Sequence, residues 1–508
     1  MGMMNQAYVN KAMELLKEPI ETRVEVRQTV EIEQVDGKVE IKPANDYRSL
    51  NLKKGDKVCL DFGNHQVGYI NMKLGYKGSH PDAPVLLKLH FAENPIELFE
   101  DPEEYHGWVC SSWIEYEQIH VDVVPSELRL PRRYAFRYLQ IEVIDISSKF
   151  DLCIEDVICT AVSGADDNNM ISFDTNDAQD KRLDEIACRT LHDCMQVVFE
   201  DGPKRDRRLW IGDFRIQALA NYMTYQNNDM VLACIYLLAG LTQEDGRVGA
   251  CLFLDPEPEV DDTQMYDYSL FFVNILWDYY ENTGDKETLK ELWPTALRQI
   301  ELAKKALNRE CIVEDSDRLG WCFIDWNLKL NKQAGAQGVL LYATSAAIKI
   351  SQALDDVMNE ESLAAFYCEI RDAANEKLWD KNKKCYVSGK DRQVSIASQV
   401  WMVLGEAIEG EDAYKLLKRV KDNPEAEGMV TPYMYHNYVD ALIKAGNVGV
   451  ALEELKEYWG AMADLGADTF WELYNPANPY ESPYGGTIVN SYCHAWSCAP
   501  AYFLRKYS

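Results

Sequence analysis

The chain has no uninterrupted apolar run near the about 18 residues that a membrane-spanning helix requires. Its opening, MGMMNQAYVNKAMELLKEP, spaces apolar residues helically and has no continuous apolar stretch ahead of a small-residue cleavage site. Gln6 also breaks the N-myristoylation pattern. These absences exclude a leader peptide and a membrane partner, so a cytoplasmic protein is expected. Positive charge is scarce too: the net charge of -31 repels phosphate backbones and anionic lipid, which excludes nucleic acid as a partner and favours a neutral or cationic small ligand. The fourteen cysteines are scattered, and neither Cys153/Cys159 nor Cys188/Cys194 has CxxC spacing, so reduced, mostly buried thiols are expected. HExxH, paired Cys/His and EF-hand patterns are missing, which leaves no expected metal. The lack of GxGxxG, GxxxxGK[ST] and GxSxG patterns likewise leaves no expected cofactor and no common serine-hydrolase site.

What is present is enough apolar sequence, 47% of 508 residues, for more than one core. After a helical stretch at 1–21, the pattern from about 22 to 168 has period two, in segments such as KVCLDF, PVLLKLHFAE and YAFRYLQIEVIDI. At least seven half-buried strands in succession predict an antiparallel β-sandwich. Its aromatics near loops (Tyr69, Tyr76, Trp108, Trp113) are read as core or interface residues and given no function. From 169 to 508 the period becomes 3.6, with about twelve helices, the last spanning 491–505 with His494 near its start. Their pairing across short Gly/Asn/Asp connections predicts a closed ring of helical hairpins, an (α/α)6 toroid, as the catalytic domain. Long loops at 199–211, 242–265, 308–337 and 462–490 are the places for a site at one end of such a ring.

The densest chemistry lies at 201–213, DGPKRDRRLWIGD, where three carboxylates and four strong cations share thirteen positions beside Trp210. The other long loops add Trp321, Asp325, Trp326, Trp471, Glu472 and Tyr474. Aromatic platforms mixed with carboxylates suit a carbohydrate, whose C–H faces lie on rings while its hydroxyls bond acids. Glycoside hydrolysis needs one carboxyl to protonate the leaving oxygen and a second to activate water or attack the anomeric carbon. Asp206 is one candidate: its neighbours Arg205 and Arg207 lower its pKa, while burial beside Trp210 and the negative field of Asp201 and Asp213 raise it. Glu472, between Trp471 and Leu473, is the other, since apolar surroundings make it a better proton acceptor.

Four ordered motifs, DGPKRDRRLWIGD, GWCFIDW, TFWELYNP and SYCHAWSCAP, together resemble the α-L-rhamnosidases of glycoside hydrolase family 78. The resemblance covers the helical domain throughout, and CLDFGNHQVGYINMKL resembles the sandwich that precedes it. It implies an inverting hydrolase acting on a small-molecule or oligosaccharide rhamnoside, with Asp206 as general acid and Glu472 as general base. It further implies that Asp201, Arg205, Trp210, Asp213, Asp325, Trp326 and His494 shape the sugar subsite; Trp321 and Trp471 join them as aromatic surfaces. The family's acid is typically Glu, whereas here Asp206 matches it and Arg207 follows. One sandwich and one ring, without further β domains, are expected to form a minimal version. Competing readings are an (α/α)6 glycosidase of another sugar specificity and a non-catalytic carbohydrate-binding protein.

Overall fold

A computed structural model describes residues 2–35, 38–314 and 319–508. The expected N-terminal stretch at 1–21 and the expected loop at 308–337 each include positions outside that set. The chain starts with a two-residue strand, β1 (Met3–Met4), and the helix α1 (Gln6–Leu15), capped by Asn5, whose side chain accepts from the Ala7 and Tyr8 amides. Val9 and Ala12 of α1 join the core of the helical region, and β1 pairs with residues 241–242. The N-terminal segment therefore packs on α4 (Asn228–Gly240), which follows the whole sheet region in sequence.

The sheet region holds β2 (Ile20–Glu25), β3 (Gln28–Val35), β4 (Lys38–Pro43), β5 (Lys57–Gly78), β6 (Val85–Ala92), β7 (Tyr116–Val121), β8 (Ser126–Arg129), β9 (Tyr134–Asp145) and β10 (Phe150–Ser163). The period-two segment at 22–35 divides into β2 and β3, while the two segments at 57–62 and 68–78 merge into β5. All nine strands hydrogen-bond in one sheet, with order β2-β10-β5-β9-β6-β7, with β3 and β8 also paired to β5 and with β4 paired to β3. β5 is continuous but irregular: its register against β9 shifts between Asp61 and Gln66, where Gly63 takes a φ of 88°. There Asp61 accepts from Gln28, the Gly63 amide and Arg137, which fixes the bend. The bend lets Val58 and Leu60 from one half of β5 and Ile70, Met72 and Leu74 from the other bury in a single apolar core.

The helical region comprises α2 (Ala178–Cys194), α3 (Ile211–Met223), α4, α5 (Tyr266–Thr283), α6 (Lys286–Ala303), α7 (Gln333–Ala353), α8 (Val357–Ala373), α9 (Ile396–Leu404), α10 (Gly410–Lys421), α11 (Pro432–Lys444), α12 (Val448–Asp464) and α13 (Ala499–Tyr507). Burial separates two kinds of helix. In α10 the buried positions are Ala413, Leu416, Leu417 and Val420, one face only, whereas in α3 everything from Ile211 to Tyr222 is buried. Consecutive odd-numbered helices from α3 to α11 pack on one another, α13 packs back on α3, and the short turn at 495–497 touches both α11 and α3. The last helix starts later than the sequence period suggests. Pro500 lacks an amide donor and is tolerated in a first turn but not in a helix interior, so the helix begins at Ala499 and His494 lies in extended chain before it.

Charged groups join the two regions. His65, at the bend of β5, places Nδ1 2.7 Å from Asp193 of α2 and Nε2 3.0 Å from Glu93, all three buried. Burial alone would lower the His65 pKa, but Cys493, Asp193 and Glu93 more than reverse this and hold it well above the ordinary imidazole value. Cys493 is itself pushed up by burial and is a neutral thiol, so the two carboxylates are the operative partners. The group His65, Asp193 and Cys493 brings ligand-type atoms within 4.8 Å of one another, yet both imidazole nitrogens are engaged by carboxylates, the arrangement of an ion-paired clamp. Because the folded pKa is raised, the stabilisation is fully present below about pH 6.5 and is lost as pH rises through the folded value. His65→Ala should lower the thermal midpoint by several degrees at pH 6, with a smaller deficit at pH 9, in paired melting curves; a deficit that grows with pH would contradict the clamp.

Candidate active site

Residues 201–213 leave α2 and lead into α3 by a tight turn. Asp206 and Arg207 both take left-handed backbone, with φ of 66° and 54°, a conformation costing non-glycine residues about 1–3 kcal/mol each. The flanking cations hold it there by pulling in different directions. Lys204, almost fully buried, pairs with Glu97 of the sheet region and donates to the Asn490 carbonyl at 3.0 Å. Arg207 donates to Glu115 at 2.7 Å and to the Arg133 carbonyl at 2.9 Å, again on the sheet side. Arg205 turns the other way, donates through Nε to the Val489 carbonyl at 3.2 Å and pairs through Nη2 with Glu472. Its guanidinium lies 4.3 Å over the Tyr484 ring, and its Nη1 is 3.6 Å from Asp206 Oδ1. One planar guanidinium thus touches both candidate carboxylates, which keeps their nearest oxygens within roughly 8 Å.

The acids differ in how they are engaged. Glu472 is buried, bonded by Arg205 and the Tyr484 hydroxyl on its two oxygens, and its amide donates to the Ser491 carbonyl at 3.0 Å. Burial raises its pKa; Arg205 and Tyr484 oppose that without cancelling it. Asp201 accepts from the Arg208 amide at 3.0 Å, and burial followed by the charges of Asp206 and Asp213 holds its carboxyl well above the usual range. Asp213, in the first turn of α3, is raised in the same way by burial and then Glu472. Each carboxyl is thus held up by burial and by the other acids around it, Asp206 among them. Asp206 is the most exposed of the four, with 27% of its side chain open.

His494 is held by its amide, which donates to the Phe470 carbonyl at 2.9 Å, and its ring stands 4.3 Å from that of Trp496. Burial and then Arg205 drive its pKa well below the ordinary value, so it is a neutral imidazole. Its Nδ1 is 3.3 Å from Asp213 Oδ1 at an angle that makes no hydrogen bond, and both atoms, like Trp210 Nε1 and Trp326 Nε1, are buried with no partner in the protein. Four unpaired polar atoms in one wall are a costly arrangement unless a ligand bonds to them. The cavity measures about 330 Å³ and its walls include Asp201, Arg205, Asp206, Trp210, Asp213, Trp321, Trp326, Glu472 and His494.

Two expected site residues lie elsewhere. Asp325 is buried, and its two oxygens accept from the Trp326, Val430 and Thr431 amides and the Thr431 hydroxyl; it pins the loop to the start of α11 and is not among the residues lining the cavity. Burial pushes its pKa up to about 6 against those bonds. Trp471 is stacked on Tyr480 and edged against Tyr474 and Tyr492 in the core, behind the residue it precedes, and Tyr474 is packed there too. Other residues complete the walls: Tyr268, Met265, Phe323, Tyr484 and Trp496, and, from the sheet region, Trp108, Val109 and Cys110. Trp108, given no function from sequence, stands 70% exposed at the cavity. Gly107 and Gly485 were available signals, since a Cβ on Gly107 would meet the Tyr484 carbonyl at 1.9 Å and one on Gly485 would meet the Gly107 Cα at 2.8 Å, a backbone contact that admits only glycine.

A cavity walled by aromatic rings, with several carboxylates converging around one arginine, is the site of a glycoside hydrolase. The sequence matches the glycosyl hydrolase family 78 alpha-rhamnosidase N-terminal domain over residues 22–161 and the bacterial alpha-L-rhamnosidase 6 hairpin glycosidase domain over residues 168–507. A rhamnosidase from Klebsiella oxytoca with rhamnose bound is 43% identical, with a TM-score of 0.96 over 100% of this chain and 99% of that one. The family 78 rhamnosidase of Bacillus sp. GL1 is 21% identical (TM-score 0.76, 92% of this chain, 49% of that), and the Streptomyces avermitilis α-L-rhamnosidase complexed with L-rhamnose 15% identical (0.65, 95% and 43%); both show the fold. No curated protein sequence matches. The chain belongs to the α-L-rhamnosidases of glycoside hydrolase family 78 and is an α-L-rhamnosidase-like glycoside hydrolase.

Asp325→Ala should lower the thermal midpoint by several degrees, because it leaves three backbone amides and a hydroxyl without their acceptor. Differential scanning calorimetry checks this; an unchanged midpoint would contradict a pinning role.

Proposed function

We propose that this protein is an inverting exo-α-L-rhamnosidase that releases terminal α-L-rhamnose from a rhamnoside, with Asp206 as general acid and Glu472 as general base. The observation that carries the proposal is the pair of carboxylates touching one buried guanidinium, Arg205, in a cavity with unpaired polar atoms. A separation bounded at roughly 8 Å overlaps the about 6.5–9.5 Å that lets a water stand between the acid and base of inverting enzymes. The Klebsiella relative, with rhamnose bound, supports the sugar.

In the proposed step Glu472, ionised, takes a proton from a water as its oxygen attacks the anomeric carbon. Asp206 gives its proton to the glycosidic oxygen as the carbon–oxygen bond breaks. One carboxylate gains charge as the other loses it, and Arg205 lies against both, so its cation stabilises the carboxylate charge before and after transfer. Asp201 and Asp213, both raised by burial, stand with Trp210, Trp326 and His494 in the cavity lining for the sugar hydroxyls. The left-handed turn at Asp206 and Arg207 sets where the shorter aspartate, in place of the family's usual glutamate, holds its carboxyl.

For the architecture we propose that the odd-numbered helices from α3 to α13 form the inner wall of an (α/α)6 ring occupying residues 169–508, and that the bent sheet at 22–168 acts as a β-sandwich against one mouth. The packing order and the closing contact of α13 on α3 support this.

Asp206→Asn and Glu472→Gln should each lower kcat on a rhamnoside by about a thousandfold or more while the melting curve stays unimodal and cooperative. Near-wild-type turnover in either variant would overturn its assignment. Tyr484→Phe removes a hydrogen bond that favours ionised Glu472, so its pKa rises; the acid limb of the kcat/KM profile, where the base becomes protonated, should move to higher pH. A limb that stays in place or moves down would contradict Glu472 as the base.

A further inference from the structure

The walls of the cavity are chemically unequal. The acid/base end is rich in charged and hydroxyl groups, whereas the exposed part contains Trp108, Val109, Cys110 and Trp321, with Trp108 70% and Trp321 45% exposed. The sole side-chain nitrogen of Trp108 already donates to the Pro483 carbonyl at 2.8 Å, so what it turns to a ligand is ring carbon. A large indole face left in water forgoes burial energy of about 2–3 kcal/mol, and an exposed apolar surface beside a cavity marks a binding surface.

Trp108 is fixed, not a loose loop residue. The Tyr105 hydroxyl donates to the Tyr484 carbonyl at 2.7 Å, and Gly107 and Gly485 bring the two backbones into contact. The loop bearing Trp108 is thereby fastened to the segment whose Tyr484 bonds the carboxylate of Glu472. On the opposite chain segment Trp321 is held by its carbonyl, which accepts from the Tyr266 amide at 2.8 Å, leaving its side chain exposed. A second sugar ring in this part would bring hydroxyls to a surface of two indoles, a valine and a cysteine, with few polar partners. A planar apolar group would bury its faces there and lose nothing.

We propose that Trp108 and Trp321, with Val109 and Cys110, form a leaving-group subsite that selects an aryl aglycone over a sugar. This rests on the rhamnosidase reading of the adjoining acid/base end. Cys110 supplies an independent probe: Cys110 and Cys368 are the two exposed cysteines, and Cys368 is on α8, outside the cavity. Hydrogen bonding to Ser112 lowers the Cys110 thiol below its ordinary value and increases its reactivity with alkylating reagents.

The test compares kcat/KM for an aryl α-L-rhamnoside and an α-L-rhamnosyl disaccharide in the wild type, in Trp108→Ala and Trp321→Ala, and in Cys368→Ser after alkylation with a bulky maleimide. Taking the ratio of the two substrates within each enzyme cancels the intrinsic ease with which an aryl group departs. Each variant should lower the aryl-to-disaccharide ratio by about tenfold, mainly through KM. The inhibition constant of free L-rhamnose, which fills only the acid/base end, should stay within about twofold of wild type in Trp108→Ala and in the alkylated Cys368→Ser enzyme. Equal losses on both substrates, a larger loss on the disaccharide, or an unchanged ratio would overturn the subsite. Wild-type inactivity on both rhamnosides would instead remove the rhamnosidase reading and this inference with it.

Discussion

The site depends on the guanidinium of Arg205. It is buried, lies on the face of Tyr484, binds Glu472 through one nitrogen and faces Asp206 with another. A buried cation without partners costs several kcal/mol, and so does a buried carboxylate; here each compensates for the other. Around this ion the remaining acids sort themselves by burial. Asp201 and Asp213 are raised well above the usual carboxylate range, Glu472 is raised but kept close to a cation and a phenol, and His494 is kept uncharged by burial and then by the same arginine. Replacing Arg205 would therefore disturb several protonation states at once.

The second constraint is that neither region completes the site alone. The turn carrying Asp206 stays in left-handed backbone because Lys204 and Arg207 are bound by Glu97 and Glu115 of the sheet region while Arg205 is bound in the helical region. The sheet also lends the Trp108 loop, fastened through Gly107 to the 483–486 segment, and Glu100 accepts from the Thr487 and Ile488 amides beside it. Asp206, Glu472 and the cavity rim are thus coupled through buried polar contacts across the boundary. The His65 clamp, between Glu93 and Asp193, reinforces the same boundary a short way behind Cys493 and His494.

Much of this was legible in the residues. Helix periodicity placed α2, α4 and α5 closely because each has a one-dimensional signal, an apolar period with Asp177, Asn227 or a terminal Gly284 at its end. The charge density at 201–213 and the TFWE segment pointed to Asp206 and Glu472, which the fold brings to one arginine, since such residue types together have few purely structural uses. What sequence could not supply was contact at long range. Asp325 carries the residue type of a sugar ligand, and only the fold reveals that three amides and the Thr431 hydroxyl engage its oxygens. Trp471 precedes the base and looks like a platform, yet its neighbour's orientation puts it in the core. Tyr484 and Trp108 were missed because their partners lie far away in the chain and no periodicity signals them. The late start of α13 was readable from Pro500, whose geometry outweighs the apolar period that continues through it.

Two carboxylates that share one guanidinium are proposed to act from opposite sides of the anomeric carbon. Proton NMR of a rhamnoside digest, followed from the first seconds of turnover, reads that claim directly. The β-anomer of L-rhamnose should appear first and equilibrate with the α-anomer at the rate of free-sugar mutarotation. If the α-anomer appears first, configuration is retained, water does not attack between Glu472 and the departing group in a single displacement, and the assignment of Glu472 as a base is contradicted.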